Sequence, residues 1–356
     1  MEHDHSQRLQ EQVLAAYKLG KPLAIQGGNS KAWYGNEPQG EILSIAEHHG
    51  IINYEPTELV ITARAGTRLS VIETLLAEHN QCLAFEPPHF GETATLGGTI
   101  ACNFSGPARP YLGSARDFVL GCQILNGKGE ILNFGGQVMK NVAGYDVSRL
   151  MAGALGTLGA LLTISLHVLP KPEAELTLVK NVDAAGAIQQ ANAHARLPLP
   201  ISASAYVDGL TYIRLSGTEG SVKQAAAYLG GEPLANGELF WHKLREQQLR
   251  FFQTDQNLWR LSLPADTPVL DLAGTTLYDW GGAQRWLLSD SEATPIRDAV
   301  SQAGGHTTLF RAQPSIRRHN AAFQPLSEAM LRYHRQLKQA FDPKGIFNPN
   351  RLYAGL

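Results

Sequence analysis

Apolar residues recur at helical spacing near the start of the chain. Leu9, Val13, Ala16 and Tyr17 fall on one face of a helix expected over residues 6–19, with Ser6 placed to cap it and Gly20 to stop it. Leu69, Ile72, Leu76 and His79 form a second such face over residues 67–79. Short apolar runs predict strands at 22–25, 58–64 and 82–85. Residues 118–134 predict a hairpin, because Asn126-Gly127-Lys128-Gly129 is strong turn chemistry between two apolar runs. Residues 162–168 alternate with period two, and Pro170 and Pro172 end the strand this predicts.

The pattern changes after Pro170-Lys171-Pro172, where a domain boundary is expected. Beyond it, strands are expected at 176–182, 202–207, 210–215, 258–263, 286–288 and 306–310. Helices are expected at 184–195, 221–229, 239–252 and 294–303. That order suggests an antiparallel sheet with helices on one face. A last helix over 323–341 runs into a compact turn, Asp342-Pro343-Lys344-Gly345-Ile346-Phe347-Asn348-Pro349.

Composition narrows the partners. A chain of 356 residues suits two domains of ordinary size, and a net charge of −2 gives no reason to expect nucleic acid or an anionic membrane. The opening Met1-Glu2-His3-Asp4-His5 has neither the basic start nor the apolar core of a signal peptide. Residues 150–170 carry no charged side chain and approach the roughly 20 residues of a membrane span. Gly153, Gly156 and Gly159 weaken that helix, and the alternation after them reads as strand, so no span is expected. The three cysteines, Cys82, Cys102 and Cys122, form neither a disulfide framework nor a C-x-x-C metal site. They suggest reduced thiols in the cytoplasm, and they are too few for the usual four-thiolate iron–sulfur ligation.

The candidate chemistry lies between residues 86 and 170. Gly91-Glu92-Thr93-Ala94-Thr95-Leu96-Gly97-Gly98, Asn103-Phe104-Ser105-Gly106 and Gly153-Ala154-Leu155-Gly156-Thr157-Leu158-Gly159 are dense in glycine within apolar sequence. Such stretches are poor material for regular helix or strand. They suit a backbone that passes close to something flat or charged, with N–H groups free to cradle phosphates. An earlier loop, Gln26-Gly27-Gly28-Asn29-Ser30-Lys31, reads from its residues as a glycine turn between two strands.

Taken in order, the Gly-Gly loop after the first strand, the Gly97-Gly98 stretch, the Arg116-Asp117 hairpin and the closing Phe341-Asp342-Pro343-x-Gly345-x-x-Asn348-Pro349 resemble one family over nearly the whole chain. It is the vanillyl-alcohol oxidase, or PCMH-type, family of FAD-binding proteins, which includes the flavin-dependent 2-hydroxyacid dehydrogenases. More narrowly, Pro87-Pro88-His89-Phe90-Gly91-Glu92, residues 138–146 and Arg245-Glu246-Gln247-Gln248-Leu249 are similar to the FAD-binding E subunits of bacterial glycolate oxidase. The implied fold is α+β: a PCMH-type FAD-binding domain of two α/β subdomains over 1–170 and a second α+β domain with an antiparallel sheet over 171–320. Residues 321–356 would return to the first domain.

The resemblance also implies site residues. Gln26, Gly27, Gly28, Asn29 and Ser30 match the loop that wraps the FAD pyrophosphate. Thr95, Leu96, Gly97, Gly98, Ala101 and Asn103 match a second phosphate and flavin segment. Gly113, Arg116 and Asp117 match the segment before the hairpin, with the Arg-Asp pair read as buried and structural. Gly156, Gly159 and Leu161 match a stretch beside the adenine and flavin, and Asn348 and Arg351 match the returning C-terminal segment. Lys140, Asn141 and Tyr145 match a motif near the isoalloxazine, where a lysine would stabilise reduced flavin. Lys140 reads nearly as well as a surface lysine at a helix start.

Two departures matter. Asn29 lies where several relatives tether flavin through a histidine, so the implied FAD is non-covalent. The histidine cluster that binds the hydroxy acid in catalytic relatives is not found, and no catalytic residue is assigned. His306 and His334 are isolated, and His3, His5, His48 and His49 read as exposed terminal or turn residues. The implied role is a FAD-binding subunit taking part in oxidation of glycolate, a small 2-hydroxy acid, to glyoxylate. Chemistry would occur on a paralogous catalytic flavoprotein subunit, electrons would pass through flavin to an iron–sulfur subunit, and any attachment to the inner face of the membrane would be peripheral. Two alternatives stay open. One is a self-sufficient 2-hydroxyacid (glycolate or D-lactate) dehydrogenase using His306, His334 or Tyr145, and the other a non-catalytic scaffold subunit. A nicotinamide site is disfavoured, because no G-x-G-x-x-G lies in a βαβ context.

Overall fold

The computed structural model describes residues 3–136, 146–317 and 319–356. Among these the chain divides into two compact units, one within 1–104, 114–170 and 325–356, the other within 105–113 and 171–324. The architecture is the α+β class expected from the sequence, with antiparallel sheets in both units.

In the first unit, the helix Ser6–Leu19 buries Leu9, Val13 and Ala16 and ends at Gly20, whose φ of 65° only glycine adopts cheaply. Ser6 lies in its first turn and does not cap it. The Asp4 carboxylate takes that role, accepting from the Ser6 N–H at 3.0 Å and its hydroxyl at 2.7 Å. A five-stranded antiparallel sheet runs in the order Ile51–Glu55, Val60–Arg64, Ala160–His167, Val119–Leu125, Ile131–Gly135. The helix Leu69–Glu78 buries Leu69, Ile72 and Leu76 in the same core. In the hairpin turn, Asn126 Oδ1 accepts from the N–H groups of Lys128 and Glu130, at 2.9 and 3.0 Å.

Several expectations change here. The pair Leu23–Gln26 and Glu41–Ser44 forms a parallel two-stranded sheet. Its second strand and Ile51–Glu55 have no clean alternation of burial, so periodicity does not reveal them. Of the strand expected at 82–85, only Gln81–Cys82 pairs, and the Glu86 N–H turns back to Leu83 O at 2.9 Å. Gly97 and Gly98 are not in irregular backbone but inside the helix Leu96–Cys102. Glycine is needed at 97 for another reason: a Cβ there would lie 2.7 Å from Ala65 Cβ.

The second unit carries an eight-stranded sheet in the order Glu232–Pro233, Ala174–Lys180, Leu210–Gly217, Ile201–Val207, Thr275–Asp279, Gln284–Leu288, Leu258–Ser262, His306–Arg311. Helices Ala184–His194, Glu219–Leu229, Gly237–Arg245 and Ala293–Gln302 accompany it. The helix expected over 239–252 breaks after Arg245. Gln247 takes φ 56°, and its buried side chain accepts from Arg311 at 2.8 Å, a long-range contact that outweighs helix propensity. The last helix starts at Glu328 instead of 323, behind Pro325, with Ser327 as its cap.

The C-terminal segment is stitched into the first unit by buried polar groups. Lys338 Nζ donates to Asp342 at 2.8 Å, to Thr157 O at 2.8 Å and to Phe347 O at 2.6 Å. Asp342 in turn accepts from the N–H groups of Ile346 and Phe347, at 3.0 and 2.7 Å. Phe347 then bridges to Leu23 in parallel, which sets Asn348 beside the first strand.

Candidate functional site

The strand Leu23–Gln26 leads into loop 26–30, which forms one wall of a cleft in the first unit enclosing about 1020 Å³, part of it open to solvent. Loop 26–30 packs tightly on residues 93–95. A Cβ on Gly28 would lie 1.5 Å from Thr93 O, and one on Gly27 would lie 2.5 Å from Thr95 Oγ1. Thr93 Oγ1 donates to Gly28 O, closing the contact. Asn29 adopts φ 61°, a conformation that asparagine tolerates better than most residues. Past the loop, Trp33 Nε1 donates to Ser30 O at 3.1 Å, and its ring packs 5.4 Å from that of Phe90.

A second wall comes from the helix Leu96–Cys102. Thr95 caps it, accepting from the Gly98 N–H at 3.3 Å. Gly98, Ala101 and Cys102 all face the cleft, as the i, i+3, i+4 spacing of a helix requires. Gly156, Gly159 and Leu161 close a third side, with Asn348 at the seam. Asn348 Oδ1 accepts from the Ile25 N–H at 2.8 Å, and its Nδ2 donates to Leu155 O at 2.6 Å. One side chain thus ties the first strand to the 153–159 turn.

Two cations line this cleft. Lys31 is buried and donates to His89 O at 3.0 Å and Ser30 Oγ at 3.3 Å. Arg351 is also buried and is held by Asn36 O and, at 2.9 Å, Ala32 O. Burial pushes the Cys102 thiol up to about 11 although both cations favour the thiolate.

The structure therefore brings together Gln26, Gly27, Gly28, Asn29, Ser30, Thr95, Gly97, Gly98, Ala101, Gly156, Gly159, Leu161, Asn348 and Arg351. Leu96 is instead in the core, and Asn103 ends its helix at φ 52° with Oδ1 accepting from the Arg116 N–H. Gly113 closes the short helix Arg109–Leu112 of the second unit. Asp117 caps the turn at Ser114, accepting from its N–H at 2.9 Å and its hydroxyl at 2.7 Å. The Arg116–Asp117 pair is not buried as expected: the side chains are 57% and 51% exposed and 4.0 Å apart. Lys140, Asn141 and Tyr145 lie outside the described residues. Sequence reasoning missed Lys31, which directly follows the loop, and Cys102, which shares the Gly98 helix face.

The histidines also differ from expectation. His48 is buried, not exposed, and its Nδ1 accepts from the His5 N–H at 3.0 Å. Among the described residues, no group of three or more His, Cys, Asp or Glu is arranged to hold a metal, and no helix is long and apolar enough to cross a membrane.

Known proteins place this geometry in a class. A family profile described as a FAD binding domain matches residues 2–135, and one for the C-terminal domain of FAD linked oxidases matches residues 317–352. The chain is a FAD-dependent oxidoreductase, and FAD is its cofactor. It is 52% identical over 355 residues to the glycolate oxidase subunit GlcE of Escherichia coli (strain K12), covering 100% of this chain and 99% of that one, and it belongs to that protein's family. It is 31% identical over 170 residues to the glycolate oxidase subunit GlcD of Bacillus subtilis (strain 168), covering 46% of this chain and 36% of that one. A D-lactate dehydrogenase of Archaeoglobus fulgidus is 32% identical over 168 residues, which cover 45% of this chain and 37% of that one. The solved structure of an alkyldihydroxyacetonephosphate synthase shares the fold with a TM-score of 0.66 at 16% identity, covering 98% of this chain and 76% of that one.

Proposed function

We propose that this chain is the FAD-binding subunit of a complex that oxidises glycolate to glyoxylate, with the FAD held non-covalently in the cleft of the first unit. The observation that carries the reading is the donor set of that cleft, given the full-length similarity to a glycolate oxidase subunit. Loop 26–30 supplies backbone N–H groups and the Ser30 hydroxyl for a pyrophosphate, and Lys31 and Arg351 supply positive charge. Ala101, Leu161 and Met151 give apolar surface for the ring systems. Asn348 holds two walls of the cleft at fixed separation. When bound, FAD supplies a two-electron acceptor whose ring chemistry belongs to the cofactor.

The substrate proton is taken by a base on a paralogous flavoprotein partner, and the electrons leave through an iron–sulfur partner. Cys82, Cys102 and Cys122 cannot hold such a cluster themselves, since the usual ligation needs four thiolates. The chain works in the cytoplasm, with any membrane attachment made through a partner. An anaerobic visible spectrum of the chain purified alone, before and after glycolate, tests the division of labour. We expect flavin absorbance that stays oxidised. Bleaching by glycolate would make this chain a dehydrogenase in its own right and overturn the assignment of the chemistry to a partner.

A further inference from the structure

The second unit holds two adjoining chambers whose walls share no residue with the flavin cleft. They lie among the helix Ala184–His194, the strand Ile201–Val207 and the short helix Arg109–Leu112, with Tyr111, Ala191 and Ile201 in the walls of both. The larger encloses about 630 Å³, part of it open to solvent, against Leu197, Leu199 and the Trp280 ring. The smaller encloses about 450 Å³, also partly open.

The smaller chamber contains polar groups that the protein leaves unsatisfied. Thr211 Oγ1 and Gln190 Oε1 are buried without a hydrogen-bond partner. Buried polar groups are nearly always paired, so two orphans lining one chamber, one from the helix Ala184–His194 and one from the strand Leu210–Gly217, point to a guest. Tyr111 and Ser204 hydroxyls lie 3.2 Å apart and share one hydrogen bond, which leaves one of them a proton to give. Gln190 Oε1 can only accept, whereas the hydroxyls can donate. A group that fits must both donate and accept at one end. A hydroxyl or a primary amide does so, and an ether or hydrocarbon does not. No Lys, Arg, Asp or Glu lines either chamber, and His194, which lines both, is held below its ordinary pKa chiefly by burial, so a charged guest would lose its hydration without a counter-ion.

We propose that the second unit carries a binding site for a small neutral molecule with an apolar body about one ring in size and a hydroxyl or primary amide at one end. The site is independent of the flavin reading. Saturation-transfer NMR on the full chain with its FAD tests it, using phenol, anisole and benzoate as probes. Phenol should bind about tenfold more tightly than anisole, the penalty for leaving a buried acceptor unmatched. Benzoate should give no signal. Gln190→Leu combined with Thr211→Val should weaken phenol about tenfold without changing FAD content. Ala191→Leu, which narrows both chambers from the helix and leaves the polar groups in place, should weaken phenol and anisole alike. Benzoate binding as well as phenol, no phenol binding at its solubility limit, or phenol binding unchanged by both variants would each overturn the proposal.

Discussion

Lys338 and Asp342 form a buried ion pair at 2.8 Å whose remaining hydrogen bonds go to the backbone of the C-terminal turn and to Thr157 O. Burial holds the Lys338 amine below the ordinary lysine range, with Asp342 opposing the shift. Removing one member strands a desolvated charge, so Asp342→Ala should cost roughly 3–5 kcal/mol. Lys338→Met should cost less, because it strands two carbonyls, whereas Asp342→Ala strands the N–H groups of Ile346 and Phe347, and an orphaned buried N–H is the less tolerated of the two. Urea unfolding of both single variants and the double variant checks this, and the double should cost less than the sum of the singles.

Asn348 ties Ile25 to Leu155 through one amide, and both neighbours line the cleft. Asn348→Ala removes an acceptor and a donor from a buried site, at about 1–3 kcal/mol. We expect this variant to fold but to release FAD faster than the parent in a dilution experiment read by flavin fluorescence.

Gly28 is constrained by the Thr93 backbone, because its Cβ direction points at Thr93 O and not into the open cleft. Gly28→Ala should therefore destabilise the apoprotein as well as empty the cleft. A thermal melt of apoprotein stripped of FAD separates the two effects, and a melt equal to that of the parent would show that the loop tolerates a side chain there.

His48 supplies a pH dependence. Burial holds its pKa below the ordinary 6.5, and its Nδ1 must stay unprotonated to accept from the His5 N–H. Asp4 near Nδ1 favours the proton, whereas Arg64 and His5 oppose it. Because the folded pKa is the lower one, the unfolded chain takes up the proton first. Stability from this site is thus full above about pH 6.5 and falls as pH drops below it. Asp4, held at about 2 chiefly by the Ser6 hydroxyl, loses its contribution only below about 3.8. Urea midpoints between pH 8 and 5 should fall less for His48→Gln than for the parent.

Much of this was legible in the sequence, for physical reasons that differ by residue. Leu9, Val13 and Ala16, or Leu69, Ile72 and Leu76, bury one stripe of a helix, and periodicity reports that directly. Asn126-Gly127 announces its turn because the asparagine side chain satisfies the loop donors locally. Residues 41–44 and 51–55 were hidden because edge strands bury little, and Gln247 because its left-handed turn answers to Arg311, 64 residues away. In the candidate site, glycine density marked the right loops but for a partly wrong reason. Gly97 and Gly28 are small because protein backbone or Ala65 lies against them, whereas a Cβ at Gly98 would meet only Thr95 Oγ1. Lys31 and Cys102 carry no signature of their own, since a lysine after a loop and a cysteine in a helix are both ordinary.

The most direct measurement is the FAD content of purified chain and of its Gly98→Asp variant. A Cβ at Gly98 would meet only Thr95 Oγ1, at 3.2 Å, and otherwise faces the cleft. A carboxylate in the first turn of that helix should not lower apoprotein stability, but it would set negative charge where we place the cofactor. We expect about one FAD per parent chain, released by denaturation, and little or none in the variant at equal apoprotein stability. Full FAD in Gly98→Asp, or a parent chain that binds none when FAD is supplied, would contradict the assignment of the cleft.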